Sequence, residues 1–287
     1  PISRPGQEDS VSEINSLVSA DENWKQFVLD TFTNESQRIE KFEAGNLRNH
    51  VEFWKSLTSD PVILGLVQGT CIEFLSEPIQ DKIPEPYHFS KAENEKIDVE
   101  IMKMLKKGII KPVENVQNCY VSNIFTRPKS DGNLRIILDL SKLNENIVYR
   151  HFKMDSLQSA IDLMFKDCFF GTIDWKEAYY CCNIANEFRD FLTFQWREQF
   201  YHYTRYPNGM ASAPRCFCKL TKVLFSELRK LGHLNTSYID DCLLIAGSVA
   251  ECRQNIFDTV QISQNAGFYV HPDKSVLEPT QEIIYLG

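Results

Sequence analysis

The spacing of apolar residues changes along this chain from a helical period to an alternating one. Residues 90–108 have the helical pattern, because Ser90 and Glu93 form a capping-box signature and Gly108 follows the last periodic position. The apolar residues on the predicted face are Ile97, Ile101, Met104 and Leu105. The pattern therefore predicts one well-bounded helix.

After this helix the pattern is typical of β-strands. Residues 120–127 and 134–140 are apolar-rich, and residues 128–132 between them read Pro-Lys-Ser-Asp-Gly, which is a turn signal. Residues 191–196 and 200–206 have the same arrangement around a polar turn at 197–199. We expect two β-hairpins.

The last third of the chain predicts a regular order of elements. A short helix over 155–166 leads into a strand over 168–174. Then come a helix over 211–232, strands over 234–239 and 242–247, a helix over 249–266 and a strand over 268–271. With residues 176–210 set aside as an insertion, this order is βαββαβ, the ferredoxin-like arrangement of an α+β fold. Because that fold carries many functions, the order alone assigns none.

Charge is distributed unevenly along the chain. Residues 1–100 contain 19 acidic and 9 basic side chains, whereas residues 101–287 contain 20 acidic and 22 basic ones, so the net charge of -8 arises in the first third. Residues 1–40 are polar, with one helix predicted around 24–32, and the proline-containing residues 77–89 predict an extended linker. Residues 106–153, with 9 basic and 4 acidic side chains, form a modest electrostatic footprint for phosphate.

Several classes of protein are disfavoured. No apolar stretch approaches the roughly 20 residues that span a bilayer, and no signal-peptide pattern opens the chain, so we expect a soluble intracellular protein without a membrane partner. The nine Cys and six His show no zinc-ligand spacing, and we expect the Cys to be reduced core residues. No glycine-rich phosphate loop is present. The chain begins with Pro1 and ends on Gly287 after an apolar run, which predicts a piece of a longer polypeptide.

Two adjacent carboxylates, Asp240 and Asp241, lie between two apolar runs, which predicts a hairpin whose tight turn carries both. In a ferredoxin-like sheet the first and third strands are neighbours, so Asp174 at the end of its strand is expected to face them. Three carboxylates at one point repel one another unless cations lie between them. We therefore expect two Mg²⁺ ions, with Mn²⁺ as an alternative, in an arrangement suited to phosphoryl transfer.

The segments around these carboxylates resemble the motifs of reverse transcriptases. TIDWKEAYY (172–180) resembles motif A, YPNGMASAP (206–214) motif B and YIDD (238–241) motif C. GFYVHPDKS (267–275) resembles motif D, IIYLG (283–287) motif E at the primer grip, and residues 121–144 the fingers segment. Six motifs in the family's order over residues 110–287 make the resemblance specific.

The resemblance is closest to the DIRS-type retrotransposons, which pair a reverse transcriptase with a tyrosine recombinase. HFKM (151–154), APR (213–215), KSVLEPTQ (274–281) and WKSLTSDPVILGLVQG (54–69) carry it. It implies the fingers and palm of a right-hand polymerase: an acidic lead-in over 1–89, fingers over 90–167, and a palm over 168–287 with a fingers insertion at about 176–210. The thumb, RNase H and recombinase are expected elsewhere on the parent polypeptide or element.

The resemblance also implies roles for the acidic site. Asp174 and Asp240 match the principal Mg²⁺ ligands, and Asp241 matches a less direct third carboxylate. Lys274 matches a cation near the leaving pyrophosphate that acts as general acid. A solvated turn and an ordinary surface lysine are the alternatives.

Roles in binding the incoming nucleotide are implied in the same way. Lys129 and Arg135 match the residues that hold the triphosphate of a dNTP. Tyr179 matches the aromatic steric gate against a ribose 2′-OH, and Asn208 stands where many relatives have Gln. Gly209 is expected to let the backbone approach the base pair. A charged hairpin and core packing are the alternative interpretations of these residues.

The remaining implied contacts involve the RNA/DNA template-primer. Phe125 resembles a fingers aromatic that stacks on the template, although a strand Phe is often a core residue. Tyr238, Ile239, Leu286 and Gly287 match positions that line the primer terminus.

The resemblance therefore implies an RNA-directed DNA polymerase. An inactivated or domesticated nucleic-acid-binding module of the same fold is the alternative, and the intact carboxylates together with Lys129 and Arg135 argue against it. An RNA-directed RNA polymerase is disfavoured by Tyr179.

Overall fold

The computed structural model describes residues 24–34, 42–129 and 132–286. The chain divides into two compact units. Unit I comprises Pro1–Lys41, Met154–Lys176 and Lys222–Gly287, and unit II comprises Phe42–Lys153 and Glu177–Thr221. Most of residues 1–40, the first part of the acidic lead-in, lies outside the described residues.

The helices are α1 (Trp24–Asn34), α2 (Val51–Leu57), α3 (Pro61–Gln68), α4 (Lys91–Lys106), α5 (Ser141–Asn144), α6 (Leu157–Leu163), α7 (Ala213–Lys230) and α8 (Val249–Asn265). Short 3₁₀ helices lie at Asn46–His50, Ala178–Cys181 and Asn186–Leu192. The strands are β1 (Ile110–Val113), β2 (Val121–Ser122), β3 (Ile124–Pro128), β4 (Leu134–Leu138), β5 (Phe169–Asp174), β6 (Thr193–Trp196), β7 (Gln199–Tyr203), β8 (Leu234–Tyr238), β9 (Asp241–Ala246) and β10 (Val276–Thr280).

Unit I contains a four-stranded sheet in the order β10-β5-β9-β8, and every neighbouring pair is antiparallel. Numbered along the chain, this order is 4-1-3-2, so the predicted ferredoxin-like α+β fold is confirmed. The predicted fourth strand over 268–271 is wrong. There only Val270 forms an isolated bridge, to Trp175, because residues 271–275 turn across the end of β5 before β10 begins.

The sheet of unit I buries apolar side chains on both faces. Helix α8 packs against β5, β9 and β10 on one face. On the other face a core cluster consists of Ala160, Cys168, Phe170, Leu243 and Ile245, and Ile283 and Tyr285 pack against it. Helix α6 is shorter than predicted at both ends, because Ser156 caps its start by accepting a hydrogen bond from Ser159 N–H and the backbone becomes extended at Met164.

Unit II contains helix α4, a second sheet and a separate hairpin. The predicted capping box of α4 is present, and Ile97, Ile101 and Met104 are buried on its inner face. Strands β3 and β4 form the first predicted hairpin, and β6 and β7 form the second, within a sheet ordered β1-β7-β6-β2. The apolar run over 120–127 is divided between two strands, because β2 pairs with β6 rather than with β4.

The nine cysteines are free, and seven of them are buried as predicted. Cys71 is exposed and Cys119 is partly exposed, so these two are not core residues. No helix in the described part of the chain is long and apolar enough to cross a membrane.

Strand β5 approaches α8 closely at Gly171. A Cβ atom at this position would lie 2.8 Å from the Ile256 side chain and 3.1 Å from the Val276 carbonyl oxygen. We expect Gly171→Ala to lower the free energy of unfolding by about 1–3 kcal/mol through overpacking. In an Ile256→Val background, which lacks the nearest methyl group, the loss measured by urea denaturation is expected to be smaller.

Gly65 in α3 is the matched control, because a Cβ there meets nothing within 4 Å. Gly65→Ala is expected to raise the free energy of unfolding by about 0.5–1 kcal/mol. Equal effects of the two substitutions would contradict the packing argument.

Candidate active site

The register of the sheet in unit I brings two carboxylates together. Side chains alternate between faces along a strand, so Phe170, Thr172 and Asp174 share one face of β5. Asp174 is the Cα partner of Asp241 on the antiparallel neighbour β9. Opposed residues have Cβ atoms roughly 4.5–5.5 Å apart, so these two acids are direct neighbours, as the predicted topology implies.

The backbone of Asp174 is held from two sides. Its N–H donates to Ser275 Oγ at 3.0 Å, and its carbonyl oxygen accepts from His271 N–H at 2.8 Å. The next residue, Trp175, donates its N–H to the Asp240 carbonyl oxygen at 3.4 Å. The turn over 271–275 and the hairpin therefore both fix the end of β5.

Trp175 anchors this strand end in the core. Its ring is fully buried and stacks on Phe268, with centroids 4.6 Å apart, and more loosely on Phe225 at 6.1 Å. Its Nε1–H donates to Ser263 Oγ at 3.0 Å. Because Trp175 follows Asp174 directly, this packing limits the movement of the carboxylate's backbone.

The hairpin between β8 and β9 differs in one respect from the prediction. Tyr238 pairs with Asp241, so the two turn residues are Ile239 and Asp240, and Asp241 already belongs to β9. Ile239 has φ of 56°, in the left-handed region that a β-branched residue rarely adopts. Backbone strain of this kind costs about 1–3 kcal/mol and is often found at functional sites.

A cleft of about 630 Å³ opens beside the two carboxylates. Asp174, Asp241, Tyr238, Lys274 and Leu286 all line it, so this part of the structure gathers five of the predicted site residues. Gly287 lies outside the described residues.

Tyr285, which sequence reasoning did not single out, also lines the cleft. Its hydroxyl donates to the Asp241 carbonyl oxygen at 3.3 Å. Tyr285 thereby ties the carboxy-terminal stretch to β9.

The cleft is unfavourable for negative charge in the absence of a cation. Partial desolvation of its carboxylate, and then the charge of Asp174, raise the pKa of Asp241, whereas Lys274 lowers it. Burial raises the pKa of the Cys242 thiol well above its usual range, and Asp240, Asp241 and Asp174 raise it further. All three carboxylates therefore act on the same region.

The donor set fits an open magnesium site. Within the described ranges, no three or more His, Cys, Asp and Glu side chains are arranged as a group that holds a metal ion by itself. Mg²⁺ usually binds through one or two carboxylates and completes its shell with water and substrate phosphates. Asp174 and Asp241 offer such an incomplete set of oxygen donors.

In unit II the predicted triphosphate ligands lie on the β3–β4 hairpin. Lys129 Nζ forms an ion pair of 3.3 Å with Glu100 Oε1 on α4, and Lys103 pairs with the same carboxylate at 3.5 Å. Arg135 is exposed on β4, and its Cα partner is Arg127. Glu100 was missed by sequence reasoning because nothing in the chain order indicates that α4 contacts this hairpin.

The buried hydroxyl of Tyr180, in the predicted motif A segment, interacts both with the β3–β4 hairpin and with the predicted motif B segment. It accepts a hydrogen bond from Asn208 Nδ2 at 3.4 Å. Burial and then the charges of Glu177 and Glu100 raise the pKa of Tyr180, whereas Arg135 and the hydrogen bond from Asn208 lower it. Asn208 and Arg135 therefore act on the same group within unit II.

Tyr179, the predicted steric gate, is half-buried in an aromatic cluster. Its ring lies 5.3 Å from Phe217 and 6.2 Å from Tyr206, measured between centroids. The Tyr179 ring therefore packs against core residues, as the alternative interpretation expects, but part of its surface is exposed.

The segment around Gly209 is attached to β4. Gly209 has φ of 109°, and a Cβ atom there would clash with the Leu138 carbonyl oxygen, so glycine is required. The Asn144 side chain donates to the Gly209 carbonyl oxygen at 2.9 Å and accepts from Ala211 N–H at 3.0 Å. Asn144 therefore holds the backbone of this segment in place, through contacts that only the tertiary structure identifies.

Phe125 is half-buried on β3, opposite Ile137. The Arg127 guanidinium lies 5.9 Å from its ring centroid. Phe125 is thus neither a fully buried core residue nor a fully exposed aromatic ring.

The structure thus combines a ferredoxin-like sheet in unit I with an acidic cleft at the end of β5. A family model described as reverse transcriptase (RNA-dependent DNA polymerase) matches residues 127–287, more than half of the chain. The chain belongs to this family.

Similar proteins include polyproteins of mobile elements. The chain is 20% identical over 283 residues to the retrovirus-related Pol polyprotein from transposon 412 of Drosophila melanogaster, covering 97% of this chain and 22% of the relative. It is 24% identical to the transposon Tf2-3 polyprotein of Schizosaccharomyces pombe, covering 73% and 16%. The chain therefore spans about a fifth of the length of these curated relatives.

A solved structure of the foamy viral protease-reverse transcriptase in complex with dsDNA superposes with a TM-score of 0.72 at 18% identity. The match covers 100% of this chain and 55% of that chain. At this identity the similarity shows a shared fold.

The strain at Ile239 predicts an unusual order of stability between two variants. Ile239→Gly and Ile239→Ala both remove the side chain beyond Cβ, but only glycine adopts a positive φ without an energetic cost. We expect the Gly variant to be the more stable by about 1 kcal/mol in urea denaturation. At exposed Val99 in α4 the order should be reversed, with Ala more stable than Gly by about 0.5–1 kcal/mol. The same order at both positions would contradict the strain.

The raised pKa of Asp241 predicts how stability depends on pH without divalent metal. As pH rises, the unfolded chain ionises this carboxyl first, so stability falls between the unfolded and the folded pKa and stays lower at neutral pH. Asp241→Asn should lack this loss and be more stable than the wild type at pH 7. Mg²⁺ should stabilise the wild type more than the variant.

The measurement is the free energy of unfolding as a function of pH in the presence of a chelator. Asp81→Asn, which removes an exposed carboxylate from unit II, controls for the change in net charge. A destabilised Asp241→Asn protein at neutral pH would refute the repulsion.

Proposed function

We propose that this chain carries RNA-directed DNA polymerase activity, the transfer of deoxynucleotidyl units from dNTPs to a primer 3′-OH on an RNA or DNA template. One observation carries the proposal: Asp174 and Asp241 are opposed on neighbouring strands of a ferredoxin-like sheet, beside an open cleft. Membership of the reverse transcriptase family supports it.

The carboxylates provide the electrostatic part of this mechanism. Asp174 and Asp240 are assigned as principal metal ligands and Asp241 as the less direct third. Bound Mg²⁺, or Mn²⁺, supplies activation of the attacking hydroxyl and stabilisation of the leaving phosphate. The protein's own contribution is to hold the oxygen donors on paired strands, so that little reorganisation is required when substrate binds.

The rest of the cleft is assigned to the primer and to the leaving group. Lys274 is assigned as the general acid that gives a proton to the leaving pyrophosphate, and its position in the lining of the cleft supports this assignment. Tyr238, Ile239, Leu286 and Gly287 are assigned to the primer terminus. The lining by Tyr238 and Leu286 supports this assignment.

The incoming nucleotide is assigned to residues of unit II. Lys129 and Arg135 bind its triphosphate, which requires Lys129 to exchange Glu100 for phosphate oxygens. Tyr179 excludes a ribose 2′-OH, while Asn208 and Gly209 contact the nucleotide through side chain and backbone.

Phe125 is assigned to stacking on the template strand. Its partly exposed ring supports this role, and the nearby Arg127 guanidinium adds a positive charge for the template backbone. The template-primer is thus proposed to contact the β3–β4 hairpin.

In domain terms, we assign residues 90–167 to the fingers and residues 168–287 to the palm, with the insertion at about 176–210 returning to the fingers. The parent polypeptide or element is proposed to carry RNase H and a tyrosine recombinase, as in DIRS-type elements, and to act inside the cell. HFKM (151–154) and KSVLEPTQ (274–281) support the DIRS assignment. An integrase gene in place of a recombinase gene in the parent element would refute it.

Primer extension on poly(rA)/oligo(dT) by the intact parent polypeptide tests the proposed activity. Asp240→Asn is expected to reduce extension in Mg²⁺ by at least about 10²-fold, because it removes one charge from the metal ligands. The wild type should use dNTPs in preference to rNTPs, as Tyr179 implies. Asp162→Asn, at an exposed position of α6, is the matched control and should extend normally.

Extension by Asp240→Asn at the wild-type rate would refute the metal-ligand role. Absence of incorporation by a folded wild-type polypeptide that still binds template-primer would favour the nucleic-acid-binding module. Preference for rNTPs would favour an RNA polymerase.

A further inference from the structure

Three arginines in unit II converge on one short stretch of backbone. Asn183 and Arg205 form an antiparallel β-bridge. Arg189 donates its Nε–H to the carbonyl oxygen of Ile184, the next residue, at 3.1 Å. The turn that carries Arg48 is attached to the same place, because the Asn183 side chain donates to a carbonyl oxygen three residues before Arg48, at 2.9 Å.

This arginine cluster, defined as Arg48, Arg189 and Arg205, carries positive charge that the described residues do not pair. None of the three forms an ion pair with a described residue. The carboxylates that act on the cluster are Glu43, on Arg205, and Glu187, on Arg189, and both are exposed. The Arg48 charge acts on both Arg189 and Arg205, and the Arg189 charge acts on Arg205, so the three positive charges lie close enough to repel one another with little compensation.

Burial and the crowding of positive charge lower the pKa of Arg205 more than that of Arg189. Burial, followed by the charges of Arg189 and Arg48, lowers the pKa of Arg205 to about 10. Like charges held together in a partly desolvated place are costly unless an anion joins them.

Arg205 also retains an unused donor. One terminal nitrogen donates to the Thr204 carbonyl oxygen at 3.0 Å, but its buried Nε has no hydrogen-bond partner in the described part of the chain. A Cβ atom at position 45 would lie 2.6 Å from Cζ of Arg205, so Gly45 provides the space that the guanidinium occupies. The fold therefore accommodates Arg205 at a cost that an internal hydrogen bond does not offset.

We propose that the arginine cluster binds a phosphate group of a polynucleotide backbone. Guanidinium groups bind phosphate oxygens through pairs of N–H donors, and several around one phosphate relieve their mutual repulsion. The choice of a polynucleotide rests on the proposed function, which makes template-primer the polyanion that this protein meets. None of the three arginines is among the residues assigned to the dNTP, so this contact would add a nucleic-acid subsite.

The test is equilibrium binding of a fluorescently labelled RNA/DNA primer–template. Binding is measured by fluorescence anisotropy in the presence of a chelator and over a range of salt concentrations. Arg48→Gln and Arg189→Gln remove charge from the cluster without touching Arg205, whose replacement risks misfolding. We expect each variant to bind several-fold more weakly and the double variant to lose about one unit from the slope of log Kobs against log salt. Arg150→Gln is the control, because this exposed arginine is already paired with Glu73 at 2.6 Å.

A second ligand, inorganic phosphate, distinguishes a site for free phosphate from a site for the phosphates of a polynucleotide. If phosphate raises the Tm of the wild type but not of the double variant, and polynucleotide binding is unchanged, the site takes free phosphate and the polynucleotide assignment is overturned. If the double variant matches the wild type in both assays, the arginines serve the fold or an acidic polypeptide, and the proposal fails.

Primer extension measured in parallel separates this inference from the proposed function. A wild type that extends primers together with a double variant of unchanged salt slope refutes the subsite alone. A reduced slope in a protein that does not extend primers leaves the subsite standing and refutes the polymerase assignment.

Discussion

The antiparallel pairing of β5 with β9 is the constraint on which the rest of the site depends. The register opposes Asp174 to Asp241, two acids whose mutual repulsion contributes to the raised pKa of Asp241. A shift of one residue would move the whole alternating set of side chains to the other face. The apolar partners Phe170 and Ile245, further along the same strands, hold the register against that repulsion.

The strain of the site is balanced by contacts immediately next to it. Trp175 is buried between aromatic rings, and the 271–275 turn binds both backbone groups of Asp174. Ile239 keeps a left-handed backbone conformation because the two strands that it joins are already paired. Backbone strain and charge repulsion are thus tolerated in order to present carboxylates to an open cleft, which is the arrangement that an ion with incomplete protein ligation requires.

Positive charge in unit II is organised in two different ways. Lys129 shares the Glu100 carboxylate with Lys103, so part of its charge is compensated and its position is defined by an ion pair. The arginine cluster has no such ion pair among the described residues, and two of its members, Arg189 and Arg205, donate to backbone carbonyl oxygens instead. The physical difference is that Lys129 is already partly neutralised, whereas the arginine cluster would gain most from an external anion.

The sequence alone determined the order of elements, the capped helix α4, both hairpins and the motifs that carry the candidate site, because these depend on local periodicity and turn chemistry. It did not determine the last strand, which begins at Val276, because residues 268–271 are apolar enough for a strand but form only an isolated bridge, and residues 271–275 then turn across the end of β5. It also assigned both acids to the turn, whereas only the pairing of Tyr238 with Asp241 decides that Asp241 lies on a strand. Glu100, Asn144, Tyr285 and the arginine cluster were found only in the tertiary structure, because each acts through a partner far away in the chain that no local pattern specifies.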